Sequence, residues 1–578
     1  MASRTGAVHV VTTKREYKDK VYTTYLLRRS YRAGDTVKNE TLGNLSHLPL
    51  HVIDLIRRAL KGEAFAPVAE LFEVVASAHH GHVQAVRTAM QRLGFDALIA
   101  ARPSRERDLV VAMVAARILE PDSKLATTRW WHTTTLPASL GVGDADEDAL
   151  YDAMDWLLER QARIEQKLAA RHLQAGGLVL YDLTSSYFEG TTCPLAAFGH
   201  NRDGKKGKLQ VNYGLLTDGR GCPVAVSVFK GNTGDAPTLL PAVQRVRERF
   251  GIEQLVVVGD RGMISQTQIT TLKRLEGVDW ITALKTGALR DLVADGHVQL
   301  GLFDEHNLFE LTHPDFPGER LVACRNPELA KVRAHKRQAL LAATVKELDK
   351  VKGMVARGTL KGRDAIGVRV GKVVNRYKVA KHVRLEIHDD RFAFQIDEAR
   401  VAAEAALDGI YVIRTSVPPE RLDAADVVRS YKRLSDVERA FRSLKTIDLK
   451  VRPIRHRLEE RVRAHIFLCM LAYYVEWHMR EAWRLLLFAD EDQAAKQIRD
   501  PVAPAKRSAA ALRKVHTKVL DDGTPVHSFS TLLKALSTIV RNVCRPRSAG
   551  PEAPTFEIVT TPTPTQQRAF DLLKTVRV

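Results

Sequence analysis

Leu178-Val-Leu-Tyr-Asp182-Leu-Thr-Ser-Ser186 sets an acid at the end of an apolar run short enough to be a buried strand. A second stretch, Leu255-Val-Val-Val-Gly-Asp260-Arg-Gly-Met263, repeats the pattern. Ligand sites in open α/β sheets gather outside the carboxyl ends of strands, so two acids at two strand ends point to one polar cleft. Either aspartate alone could simply cap the turn that follows it. A shared site needs a further group.

Outward from these acids, strand patterns cover 178–183, 210–216, 224–229, 255–259 and 280–284, with helical stretches starting at Pro237 and Ser265. Three strands, a helix, a strand, a helix and a strand predict the core of a ribonuclease H-like α/β fold over 173–285. The pattern lapses over 286–405, where a basic helix-like run (330–358) precedes alternating, strand-like runs at 367–374 and 377–387. It resumes with a strand at 409–415, so an inserted domain interrupts a core completed over 406–485. Residues 1–172 read as a short β-meander (7–13, 21–31) followed by helices at 51–60, 81–93, 105–119 and 146–172. Residues 486–578 read as a helical C-terminal region with a flexible tail, marked by the Pro-Glu-Ala-Pro (551–554) and Thr-Pro-Thr-Pro-Thr (561–565) stretches.

A long helix is expected from about 419 to 445. On it Tyr431, Ser435, Glu438, Arg442 and Lys445 recur at intervals of four and three and form one polar stripe. Leu434, Val437, Phe441 and Leu444 form the apolar stripe beside it. Glu438 is thus presented from the edge of a buried helix, whereas Asp436, about 200° round the helix, is expected to face solvent. Spacing also allows Glu438 to be an ordinary partner of Arg442 in an intrahelical ion pair.

The chain carries 88 basic and 68 acidic residues, a net charge of +20, which favours a polyanionic partner, nucleic acid first. Between Arg429 and Arg463 twelve Lys/Arg face five acids, a balance useful beside DNA phosphates. The longest apolar run, 466–475, is far short of the ~20 residues that span a bilayer, and the basic start, with Arg4, Lys14, Arg15, Lys18 and Lys20, is unlike a secretory signal. A cytoplasmic, nucleoid-associated bacterial protein with no membrane partner is expected. Cys193, Cys222, Cys324, Cys469 and Cys544 lie far apart, without metal-finger spacing, and are expected to be reduced and mostly packed inside.

The residues around Glu438 resemble the DDE-type transposases of bacterial insertion sequences, in the branch marked by Tyr-x2-Arg-x3-Glu-x6-Lys. Tyr431, Glu438 and Lys445 match in register, while Leu434 stands where the branch has Arg. Arg433 or Arg442 is then the candidate replacement cation. Tyr181-Asp-Leu-Thr-Ser-Ser-Tyr-Phe-Glu-Gly190 and Gly259-Asp-Arg-Gly-Met263 look like the blocks around the first and second carboxylates. The resemblance covers roughly 176–480 and implies a β-rich insertion domain at 286–405, with the N-terminal region binding DNA. It also implies metal-dependent cleavage at element ends and strand transfer into target DNA, with Asp182, Asp260 and Glu438 as catalytic metal ligands. Two Mg2+ ions are implied, Mn2+ able to substitute, with Asp182 bridging them. Double-stranded DNA, both element ends and target, is the implied partner, contacted by Tyr431, Lys445 and Arg433 or Arg442, and a homodimer joins the two ends. Two other readings stay open: a transposase-derived DNA-binding protein without catalytic activity, and a ribonuclease H-like nuclease without strand transfer.

Three further features are candidates of lower rank. Gly231-Asn-Thr-Gly-Asp235 could line the cleft or be a plain turn. The basic loop with His200, Arg202, Lys205, Lys206 and Lys208 could touch phosphate or be solvated charge. Trp130, Trp131 and Trp280 read as core.

Overall fold

The computed structural model describes residues 6–18, 20–63, 65, 71–296, 298, 303, 307–503, 506–547 and 552–577. Arg4 of the basic start and Pro551 of the Pro-Glu-Ala-Pro stretch lie outside the described residues. The chain divides into two compact units, Met1–Ser77 with Arg541–Val559, and Ala78–Val540 with Thr560–Val578.

In the first unit β1 (Ala7–Tyr17), β2 (Lys20–Ala33) and β3 (Thr36–Asn44) form an antiparallel meander in the order β1-β2-β3. Alternating Val, Thr and Tyr make these strands, and Gly34 at φ 65° supplies the left-handed turn between β2 and β3. A second small sheet joins distant parts of the chain, β4 (Phe72–His79) beside β15 (Val540–Pro546), which in turn pairs with β16 (Phe556–Val559). Phe72 meets Phe556 edge-on at 5.3 Å, and Arg545 pairs with Glu73.

The second unit is built on an eight-stranded mixed sheet. Its strands are β5 (Leu178–Tyr187), β6 (Gln210–Asp218), β7 (Pro223–Lys230), β8 (Leu255–Val258), β9 (Val278–Ala283), β10 (Leu308–Leu311), β11 (Arg320–Arg325) and β14 (Ile410–Thr415), in the order β10-β11-β14-β9-β8-β5-β6-β7. β5, β6 and β7 are antiparallel neighbours, β8 runs parallel to β5 and β9 parallel to β8, and β14 closes antiparallel on β9. The helix Glu459–Ala482 is buried nearly all round, which explains its run of apolar residues. It packs against β7 and the helices Arg105–Leu119 and Glu147–Glu159.

Several expectations need correction. β5 continues four residues past its expected end at Leu183, so Asp182 lies within the strand; Thr184, Ser185 and Ser186 are buried there because they pair with β6. The expected long helix is two helices, Ala424–Lys432 and Leu434–Arg442, followed by a wider turn, Ser443–Ile447, in which the Asp448 N–H reaches Ser443 O at 3.3 Å. The first helix starts late because Asp423 caps it, accepting from Asp426 N at 2.7 Å. Asp436 is half-buried against the turn at Gly221 and pairs with Arg439 at 3.0 Å, so it does not simply face solvent.

Among the described residues the insertion is not β-rich. Its own elements there are the helices Thr286–Ala294, Pro327–Ala356, Arg363–Tyr377 and Glu398–Ala405, with one hairpin, β12 (Val383–Ile387) and β13 (Phe392–Ile396), whereas β10 and β11 belong to the large sheet. Residues 367–374 alternate in sequence, yet Ile366, Val370 and Val374 recur at four and are the buried face of a helix, packed on Leu348, Val351 and Phe392. The Thr-Pro-Thr-Pro-Thr stretch is likewise not loose. Thr563 forms a capping box with Gln566, Pro564 takes the first helical position, and the helix Pro564–Leu573 buries Ala569, Phe570 and Leu573.

Candidate active site

Strand register accounts for the meeting of the two aspartates. β5 and β8 are parallel neighbours whose last pair is Leu180↔Val258, and Asp182 and Asp260 each lie two residues beyond it. The helix Leu434–Arg442 packs on β5 through its apolar stripe, with Val437, Phe441 and, in the turn beyond, Leu444 buried. The adjoining stripe therefore faces the same place. Asp182, Asp260 and Glu438 all line one cleft of ≈ 560 Å³, together with Arg202, Asp203, Asp235, Arg442, Lys445 and Arg452.

Burial pushes the Asp182 carboxyl up to about 7. The Leu183 N–H, which donates to its Oδ1 at 2.8 Å, opposes the shift; the negative charges of Asp260 and Asp235 add to it, and Arg202 offsets them in part. Asp260 Oδ1 accepts from the Gly262 and Met263 N–H groups at 3.0 and 2.7 Å, which fixes the carboxylate over its own turn. A methyl group at Gly262 would lie 3.4 Å from Asp260 Oδ1 and 3.8 Å from Asp235 Oδ2. Glycine thus keeps the space between two acids open. Glu438 is exposed and, among the described residues, its carboxylate has no ion-pair partner, so the intrahelical pair with Arg442 is not made. Clustered carboxylates are a set of hard oxygen donors suited to divalent cations.

Around the acids stands a ring of cations, three of them already engaged. Lys445 Nζ donates to Asp203 Oδ1 at 3.0 Å, Arg452 pairs with the same oxygen, and the Tyr187 N–H donates to Asp203 Oδ2 at 2.9 Å. Burial pushes the Lys445 ammonium down, and the Asp203 charge works against that shift. Arg202 pairs with Asp235. Gln210 Nε2 donates to Gly231 O at 2.8 Å and Asn212 Nδ2 to Thr233 O at 2.7 Å, so buried amides on β6 hold the 231–235 loop against the cleft. Arg442 is exposed on the cleft wall. Arg433 is not among the lining side chains; its Nη1 donates to Gly219 O at 2.9 Å, in the turn between β6 and β7. Tyr431 is half-buried, and its hydroxyl is pushed up by burial and then by Asp260, with smaller contributions from Glu438 and Asp182.

Residues 177–475, half of the chain, match the family model of the transposase DDE domain. The chain is a DDE transposase of an insertion sequence. Residues 10–68 of the transposase match a second model, the N-terminal domain of IS1634 family transposases. No curated protein matches it. Among solved structures it is similar to a cryo-EM structure of the piggyBac transposase synaptic complex with hairpin DNA, at 9% identity and a TM-score of 0.32, over 78% of this chain and 77% of that one. The family catalyses DNA cleavage and strand transfer with divalent metal ions, and DNA is its partner. Among the described residues of the transposase no helix is long and apolar enough to cross a membrane.

Sequence reasoning missed Asp203 and Arg452. Asp203 sits in a loop read only for its cations, and Arg452 was one basic residue among twelve, so neither carried a local signal. Asp235 was a candidate, and its place in the cleft follows from the loop anchors on β6.

Proposed function

We propose that Asp182, Asp260 and Glu438 are the catalytic carboxylates of the transposase and hold two divalent cations, Mg2+ with Mn2+ able to substitute. The observation that carries this reading is their convergence, from two strands and a helix, on one cleft in which burial and like charges raise the Asp182 carboxyl to about 7. The strand order β7-β6-β5-β8-β9, antiparallel then parallel, supports a ribonuclease H-like core. Bound cations would lower the pKa of the attacking water, activate a DNA 3′-OH and stabilise the departing oxygen.

The chain's own residues do the rest. Asp260 is held by two backbone N–H groups and so presents its second oxygen without losing its position. Arg442, exposed on the wall, takes a DNA phosphate and replaces the cation that Leu434 lacks, whereas Arg433 is spent on a backbone carbonyl. Asp203 holds Lys445 and Arg452 beside the acids, and Lys445 with Tyr431 orients the backbone near the cut. Residues 1–172 bind the element ends, and a homodimer joins them in the synaptic complex.

The test incubates purified protein with element-end DNA, a target duplex and Mg2+, beside Asp260→Ala. Wild type is expected to cut and join, and the variant only to bind. Cleavage that persists in Asp260→Ala would overturn the assignment.

A further inference from the structure

Away from the cleft, three metal-ligating side chains from three elements converge in the same unit. His172 ends the helix Gln161–His172, Cys222 lies in the turn between β6 and β7, and His478 projects from the helix Glu459–Ala482. One ligand atom from each lies within 4.8 Å of the others. Cys222 Sγ and His478 Nε2 are 3.8 Å apart. Two ligands at Zn–S ≈ 2.3 Å and Zn–N ≈ 2.0–2.1 Å on a tetrahedral ion stand roughly 3.6 Å apart, so this pair already has the required spacing. The third ligand atom needs a shift on the order of 1 Å to reach the same geometry.

The surroundings suit a ligand set. His172 Nε2 is 3.0 Å from the Tyr474 hydroxyl, leaving Nδ1 to face a metal, the kind of outer hydrogen bond that fixes the orientation of a ligating imidazole. Cys222 and His478 are buried and His172 is half-buried, so the three donors share a site largely shielded from solvent. Asp218 Oδ1 accepts from the Cys222 and Arg220 N–H groups at 2.9 and 2.8 Å and sets the turn that carries the thiol. Arg220 Nη2 stands 3.5 Å from His172 Nδ1, and its Nε donates to Asp218 Oδ2 at 2.9 Å, so metal binding would displace Nη2 from the imidazole.

We infer that His172, Cys222 and His478 form a structural Zn2+ site, with water as fourth ligand. Binding converts the Cys222 thiol to thiolate and releases its proton to solvent. Thiolate and imidazole together favour Zn2+ over the hard cations that carboxylates select. The ion would clamp the β6–β7 turn, which also receives Arg433 through Gly219 O and packs Gly221 against Asp436. That turn is the seat of the helix carrying Glu438, so the site stiffens the active site without entering it. Local Cys/His spacing could not reveal it, because its residues lie far apart in sequence.

The test uses untagged full-length protein, stripped of metal and reloaded with Zn2+ or Co2+. One zinc per chain should survive dialysis in wild type, in Cys193→Ser and in the cleft variant Asp260→Ala, and be lost in Cys222→Ser and His478→Gln. The Co2+ form should show a thiolate-to-cobalt charge-transfer band that Cys222→Ser abolishes. Absence of that band in Co2+-loaded wild type would overturn the inference whether or not the variants fold, as would zinc retained by a folded Cys222→Ser or lost from Asp260→Ala.

Discussion

Replacing Asp182 by Asn tests the electrostatics of the cleft directly. The side chain keeps its shape, and its Oδ1 can still accept the Leu183 N–H. Only the ionisable charge goes. Burial, Asp260 and Asp235 raise this carboxyl from 3.8 to about 7, so the folded state holds a proton that the unfolded chain releases at lower pH. The folded state therefore carries no penalty below about pH 4, an increasing one between 4 and 7, and the full one above 7. A shift of that size corresponds to at most about 4 kcal/mol, and solvent at this half-buried site leaves about 1–2 kcal/mol. Metal-free Asp182→Asn should therefore be more stable than metal-free wild type at pH 8 by that margin and equal to it at pH 4. Thermal denaturation in chelator at both pH values reads it as a Tm gain of a few degrees at pH 8. Mg2+ should raise the Tm of wild type at pH 8 more than that of the variant, because ions that bind the folded state stabilise it by mass action. Equal stability at pH 8, or a gain of the same size at pH 4, would refute the claim that buried like charge defines this site.

Glu438→Gln should abolish cleavage and joining in a gel assay while leaving element-end binding within about twofold, since the side chain is exposed and makes no ion pair among the described residues. Arg442→Ala should weaken DNA binding and lower the salt slope of the binding constant by about 0.9. Arg433→Ala should leave that slope unchanged and cost about 1 kcal/mol of stability in urea titration, through the lost bond to Gly219 O. Asp203→Asn strips the buried Lys445 and the half-buried Arg452 of their common anion and should cost about 3–5 kcal/mol in the same titration; a loss below about 1 kcal/mol would show that both cations find solvent.

Much of this protein is legible residue by residue. Apolar runs of strand length located β5–β9, because a strand buried on both faces is largely apolar. The four-and-three spacing from Tyr431 to Lys445 set Glu438 beside the buried face of its helix, because 3.6 residues per turn leave no other arrangement. Net charge pointed to nucleic acid for an equally local reason. Tertiary structure decided what depends on partners distant in sequence. Asp182 lies within a strand because β6 pairs with Ser185 and Ser186, and residues 367–374 are helical because Leu348 and Phe392 bury one side of them. Asp203 gained its role from cations 242 and 249 residues away, and the His172, Cys222 and His478 cluster exists only where two helices and a turn meet. The choice between Arg433 and Arg442 was of this kind too. Arg433 stands in the break between two helices and Arg442 ends the second of them, and the carbonyl of Gly219, brought close by the fold, separates the cation that anchors the helix from the one left facing the cleft.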